Sequence, residues 1–339
     1  MERTDTLAYR GNAMVDLKFL NNIRLASYPH FQAFVARTFL IPNYNLFSKV
    51  TINIENIENL PKKETVIIAM NHTDRYNYWP LQYKLWRIGG FPYTTVWVKG
   101  KYFGNAVLKR FFAWANTFPV PSKGYFIEEF FKKTFNRKIT FEEYRIIKDF
   151  IDNRLHFSDA FARASVEVRE LLSDGWQRIA RTGESFAHFI ENYYAAAMER
   201  VAEISKSALF DKGLNIIIFP EGTRSLTLSE GRTGIAQLAL NTGKTIVPIG
   251  CNNSERVYPG NLPFAKSGTI TYRVGEPLRA DGELREFAIR EKFRLFSKVS
   301  QECYRENFEA VTALVMERIH RLLDERYRKD LSRNSLRRF

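Results

Sequence analysis

Twice along this chain of 339 residues a short, mostly apolar run of strand character stops at a turn crowded with polar chemistry. Leu214 to Phe219 follows the Gly213 break as a short β-branched run and ends in Pro220-Glu221-Gly222-Thr223-Arg224-Ser225. Thr65 to Met70 ends in Asn71-His72-Thr73-Asp74-Arg75-Tyr76-Asn77. Such runs read as buried strands, and in open α/β sheets ligands sit in the crevice beyond the carboxyl ends of the strands. A third run, Lys244 to Ile249, ends at Val247-Pro248-Ile249-Gly250, so three strand ends are expected at one cleft.

The two turns carry complementary chemistry. Arg224 is planar and permanently charged, Thr223 offers a hydroxyl and Gly222 allows close backbone approach, a set suited to a phosphate monoester. His72 at the other strand end is suited to taking a proton from a hydroxyl of the same molecule. Each turn taken alone also fits a solvated ion pair or a structural histidine; it is their pairing that points to a site.

The Phe-Pro-Glu-Gly-Thr-Arg-Ser block at 219–225 matches, residue for residue, the acceptor-binding motif of the phospholipid/glycerol acyltransferase family, which the chain resembles over residues 50–280 apart from one interruption. Asn71-His72 matches that family's catalytic motif and Val247-Pro248 its last block. Residues 99–124 look like its second block, with Lys99, Lys101 and Pro119-Val120 as anchors; Lys101 or Lys123 stands for the arginine usual there. The resemblance implies a mixed central sheet flanked by helices. It also implies transfer of a fatty acyl group from acyl-CoA or acyl-carrier protein to a lysophospholipid acceptor, lysophosphatidic acid foremost. In that scheme His72 is the general base, Gly222, Thr223 and Arg224 hold the acceptor phosphate, and Glu221 fixes local geometry or contacts the acceptor. No metal and no bound cofactor is required. One position departs from the family: an aspartate that orients the imidazole is expected five residues after the histidine, and Asn77 stands there. An asparagine oxygen can accept from a ring nitrogen but brings no charge, and Asp74 is a second candidate for that charge. The departure keeps a non-catalytic phospholipid-binding relative in view.

A formal charge of +14 asks for an anionic partner. The cations are spread along the chain and no nucleic-acid motif occurs, which leaves an anionic membrane surface and acidic substrates. No window approaches the ~20 nearly uncharged apolar residues that cross a bilayer, and Met1 to Asp16 lacks the apolar core of a signal peptide. With only Cys251 and Cys303, a reducing compartment is expected, hence a peripheral protein on the cytoplasmic face of a membrane.

The expected organisation is an amphipathic helical region over 1–48, an acyltransferase core over 49–124 and 197–282, an inserted helical subdomain over 125–196, and charged helices with a basic tail over 283–339. In the first region Met14, Leu17, Leu20, Phe31, Phe34 and Phe39 recur at helical spacing among basic residues, a pattern that fits a hairpin in a headgroup layer or a cover for the sheet. The insertion shows helical periodicity, with a Thr140/Glu143 capping box.

Overall fold

The structure, a computed structural model, describes residues 15–173, 175–180 and 183–328. The stretch Met1 to Met14 and the basic tail 333–339 therefore lie outside the described residues. The chain divides into two compact units.

One unit is built mainly from residues 24–97 and from Ala202 onward, with Ala113–Phe118. It carries most of a seven-stranded mixed sheet in the order β1-β7-β6-β2-β5-β3-β4. The strands are β1 (Val50–Glu55), β2 (Ile67–Met70), β3 (Thr94–Lys99), β4 (Phe118–Val120), β5 (Asn215–Ile218), β6 (Ile246–Asn252) and β7 (Gly268–Val274). The fold is α/β, as the resemblance implies. Every residue of β2, β5 and β6 is buried, which is why these segments read as mostly apolar runs with no polar alternation. β2 lies between β5 and β6 and is parallel to both, with Ala69 opposite Ile218 and Pro248. Their carboxyl ends therefore share one edge. The strand expected to stop near Gly250 runs on to Asn252, because β7 pairs with it antiparallel from Ile249↔Val274 to Asn252↔Thr271.

The amino-terminal part of this unit is a helix that changes pitch: α over His30–Val35, π over Ala36–Leu40 and α over Ile41–Asn45. Ala33, Leu40 and Tyr44 are buried while Phe34 is exposed, so the stripe read in the sequence is partly spent on packing. After Leu284 the chain makes a single 3-10 turn at Arg285–Phe287 and is then irregular up to the helices Lys298–Cys303 and Arg305–Leu322, a shorter helical content than the charge pattern suggested.

The other unit is helical. It comprises the described residues up to Ile23, Val98–Phe112 and Pro119–Val201, wider than an insertion over 125–196. Its outer bounds follow from long-range bonds: Val15 N–H donates to Tyr125 Oη at 2.9 Å and Leu17 N–H to Tyr193 Oη at 3.1 Å. Phe126, Phe131, Trp176 and Phe186 fill its core. The capping box forms, with Thr140 N–H donating to Glu143 Oε2 at 2.9 Å and Glu143 N–H to Thr140 Oγ1 at 3.3 Å. Arg137 grips the same carboxylate with two nitrogens at 2.6 and 2.9 Å, and this pairing, helped by Ser165 and Thr140, holds the Glu143 carboxyl down at about 2.

Candidate functional site

The turns after β2 and β5 are tied to each other by the backbone of His72. Its N–H donates to Glu221 Oε1 at 2.9 Å, and its carbonyl accepts from Ser225 N–H at 2.9 Å. Glu221, 2% exposed, spends its second oxygen on Ser229, accepting from both N–H and Oγ at 3.0 Å. Burial pushes the Glu221 carboxyl above its ordinary range, against the opposing pull of these donors. One buried side chain thus holds three donors from two loops and sets where the His72 backbone lies. The imidazole stacks on Phe219, the residue just past β5, with centroids 4.0 Å apart and planes 19° from parallel. Asn71 ties the turn to β6, exchanging two hydrogen bonds with the Cys251 backbone at 2.7 and 3.0 Å.

The block 219–225 turns on Gly222, whose φ of +65° is the left-handed conformation glycine adopts without strain. The Gly222 N–H donates to the Phe219 carbonyl at 3.0 Å. Beyond it Thr223 and Arg224 are exposed, where a ligand anion is reachable. A side chain the motif reading missed borders this turn: a Cβ on Gly222 would lie 3.6 Å from Arg232 Cγ, and Arg232 N–H donates to the Pro220 carbonyl at 2.8 Å. Ser229, also missed, is legible only from the bond to Glu221.

Asp74 and Asn77 shape the His72 turn from within. Asp74 Oδ1 accepts from Tyr76 N–H at 2.8 Å, an Asx-turn, and Oδ2 accepts from Thr73 Oγ1 at 3.0 Å. Asp74 is 6% exposed, and burial raises its carboxyl despite these bonds. Asn77 is fully buried; its Nδ2 donates to the Asn71 carbonyl at 2.8 Å while Oδ1 has no hydrogen-bond partner. The amide orientation follows from that carbonyl, which only a donor can face. The Asn77 oxygen accepts no bond from the imidazole within hydrogen-bond geometry, and the amide nitrogen of the same side chain closes the turn. Tyr272 Oη fixes the same residue through its carbonyl at 2.5 Å.

The two lysines of the second block lie in the helical unit. Lys123 opens the helix Lys123–Phe135 and is bound by Glu191 at 2.6 Å and Asp152 at 3.2 Å, a structural use of its charge. Lys101 is exposed, its amine 5.6 Å from the Tyr102 ring centre. Among the described residues no group of three or more His, Cys, Asp or Glu side chains gathers as a metal site.

Residues 168–252 match the family model described as Acyltransferase, a segment that contains the 219–225 block and Val247-Pro248 and begins after His72. Over those residues the chain is similar to the acyltransferase family. The 1-acyl-sn-glycerol-3-phosphate acyltransferase of Cocos nucifera is 34% identical over 89 residues, which are 26% of this chain and 29% of that protein. The chain is thus matched over less than a third of that relative's length. The solved LPA acyltransferase PlsC of Thermotoga maritima shares 16% identity and a TM-score of 0.38, with 89% of this chain and 92% of that one covered. His72 lies outside the matched segment and is held against it by Glu221 and Ser225.

Proposed function

We propose that the protein transfers a fatty acyl group from a thioester, acyl-CoA or acyl-carrier protein, to the hydroxyl of a phosphate-bearing lysolipid, lysophosphatidic acid foremost. The reading is carried by one observation: His72 and the Glu221-Gly222-Thr223-Arg224 turn are bound to each other at the carboxyl ends of adjacent parallel strands. Arg224 and Thr223 hold the acceptor phosphate beside the amides of the Gly222 turn. The His72 imidazole takes the hydroxyl proton, and the oxygen attacks the thioester carbonyl. The C–O bond forms as the C–S bond breaks, and the leaving thiolate takes the proton back from the imidazolium. Glu221, Ser229, Asp74 and Asn77 position the base rather than touch substrate. The protein works at an anionic membrane surface on the cytoplasmic side, in keeping with the +14 charge and with the finding that no helix among the described residues is long and apolar enough to cross a membrane.

A second reading, a phospholipid binder without turnover, is favoured by Asn77, which stands where the family places a carboxylate. Purified protein, labelled acyl-CoA and acyl-carrier thioesters, and a panel of lyso-acceptors separate the two. Labelled phospholipid product supports the enzyme; acceptor binding with no product in any combination supports the binder.

A further inference from the structure

Two surface segments of the sheet-bearing unit contain no acidic residue and one lysine each: 41–49 (IPNYNLFSK) and 258–268 (YPGNLPFAKSG). The fold staples them together. Asn43 Nδ2 donates to the Pro263 carbonyl at 3.0 Å and its Oδ1 accepts from Ala265 N–H at 3.1 Å. Ser48 Oγ donates to the Ala265 carbonyl at 2.5 Å, and Lys49 N–H donates to Ser267 Oγ at 3.0 Å. The bracket gathers Leu46, Phe47, Leu262 and Phe264, each between 60% and 77% exposed. Single exposed apolar side chains are ordinary, whereas four large ones fixed on one rigid bracket mark a contact surface. Lys49 and Lys266 are exposed, and neither is ion-paired to a described residue. The bracket is also bolted to the catalytic turn: Tyr76 Oη donates to the Asn261 carbonyl at 2.5 Å, while Tyr76 N–H caps Asp74.

We propose that this rim docks the protein on an anionic lipid surface. The four apolar side chains enter the headgroup layer, and Lys49 and Lys266 lie against lipid phosphates. A lipid acceptor then enters beside the turn that carries His72; this last step rests on the acyl-transfer reading, while the docking does not. A soluble protein partner fits less well, because a surface with no acid, two cations that pair with no described carboxylate and four exposed apolar chains is matched by phosphate heads over acyl chains.

The test is sedimentation with phosphatidylcholine vesicles containing phosphatidylglycerol. Native protein is compared with Phe47→Ser/Leu262→Ser/Phe264→Ser and with Val299→Ser, equally exposed but on the helix Lys298–Cys303. The triple variant is expected to partition about tenfold or more weakly, Val299→Ser like native, and Lys49→Ala/Lys266→Ala to lose most of its dependence on the anionic lipid. Acyl transfer to a short-chain, water-soluble acceptor is expected to stay native in all of them. Native-like partition of the triple variant overturns the rim, as does failure of native protein to bind these vesicles. Absence of transfer to the soluble acceptor in native protein, with the vesicle results as expected, overturns the acyl-transfer reading and leaves the rim standing.

Discussion

Replacing Glu221 by glutamine keeps the shape of the side chain and removes one of the two acceptors that join the His72 loop to the 219–229 loop. In the native protein Oε1 takes the His72 N–H and Oε2 takes both donors of Ser229. In Glu221→Gln the amide oxygen stays with His72, and the Ser229 hydroxyl can rotate to accept from the new amide. The Ser229 N–H is then left facing a donor. One stranded donor and one lost charge-assisted bond cost about 1–3 kcal/mol, and Glu221→Ala, which strands all three donors, about 3 kcal/mol or more. A displacement of the His72 backbone by about 1 Å costs on the order of 10²-fold in turnover. The pH dependence carries a sign. Burial raises the Glu221 carboxyl in the folded state, so between the unfolded and folded pKa the native state holds the extra proton. Its stability falls as pH rises through that window, and the glutamine variant does not titrate there. The stability deficit of Glu221→Gln is therefore largest in acid and shrinks as pH rises. Denaturant unfolding over a pH series, with acyl-transfer rates beside it, reads all three quantities. A variant with native stability and native turnover, or a deficit that grows with pH, refutes the reasoning.

Arg224→Ala is expected to raise the acceptor KM sharply and lower kcat, with Arg224→Lys recovering only part, because a point charge replaces a two-pronged donor; steady-state kinetics with varied acceptor check it. Asn77→Asp, made in search of a missing catalytic carboxylate, is expected to cost about 3 kcal/mol at neutral pH, since it buries a charge against the Asn71 carbonyl. In acid the protonated carboxyl donates to that carbonyl and the loss is smaller, which thermal melts at two pH values will show. Glu143→Gln loosens the helical unit by about 1–3 kcal/mol. Because the Glu143 pKa is lowered to about 2, the native advantage is full above the usual glutamate range and is lost as pH falls from there toward 2, measurable by circular dichroism in acid.

The strands that carry the site were legible because each is buried on both faces: Ile67–Met70 and Asn215–Ile218 have no solvent side to interrupt their apolar runs. His72 and the 219–225 block were legible because strand ends carry side chains that the core has no use for. The fate of Lys123 was not, since its partners Asp152 and Glu191 lie 29 and 68 positions away, beyond any local pattern. Asn77 has a use that no local pattern shows. Its place after His72 fits an imidazole partner, but the turn needed a donor for the Asn71 carbonyl and took it from that side chain. Ser229 and Arg232 sit in a polar stretch with no periodicity, and only the backbone path brings them to Glu221 and Gly222.

The central claim is that His72 acts on a hydroxyl held by the Arg224 turn. It is tested most directly by acyl transfer from a labelled thioester to lysophosphatidic acid with native protein and His72→Ala of equal unfolding midpoint. The account predicts labelled product from the native protein and a rate lower by about 10²-fold or more in the variant. Equal rates in the two proteins, or no transfer by the native protein to any hydroxyl acceptor, would contradict it.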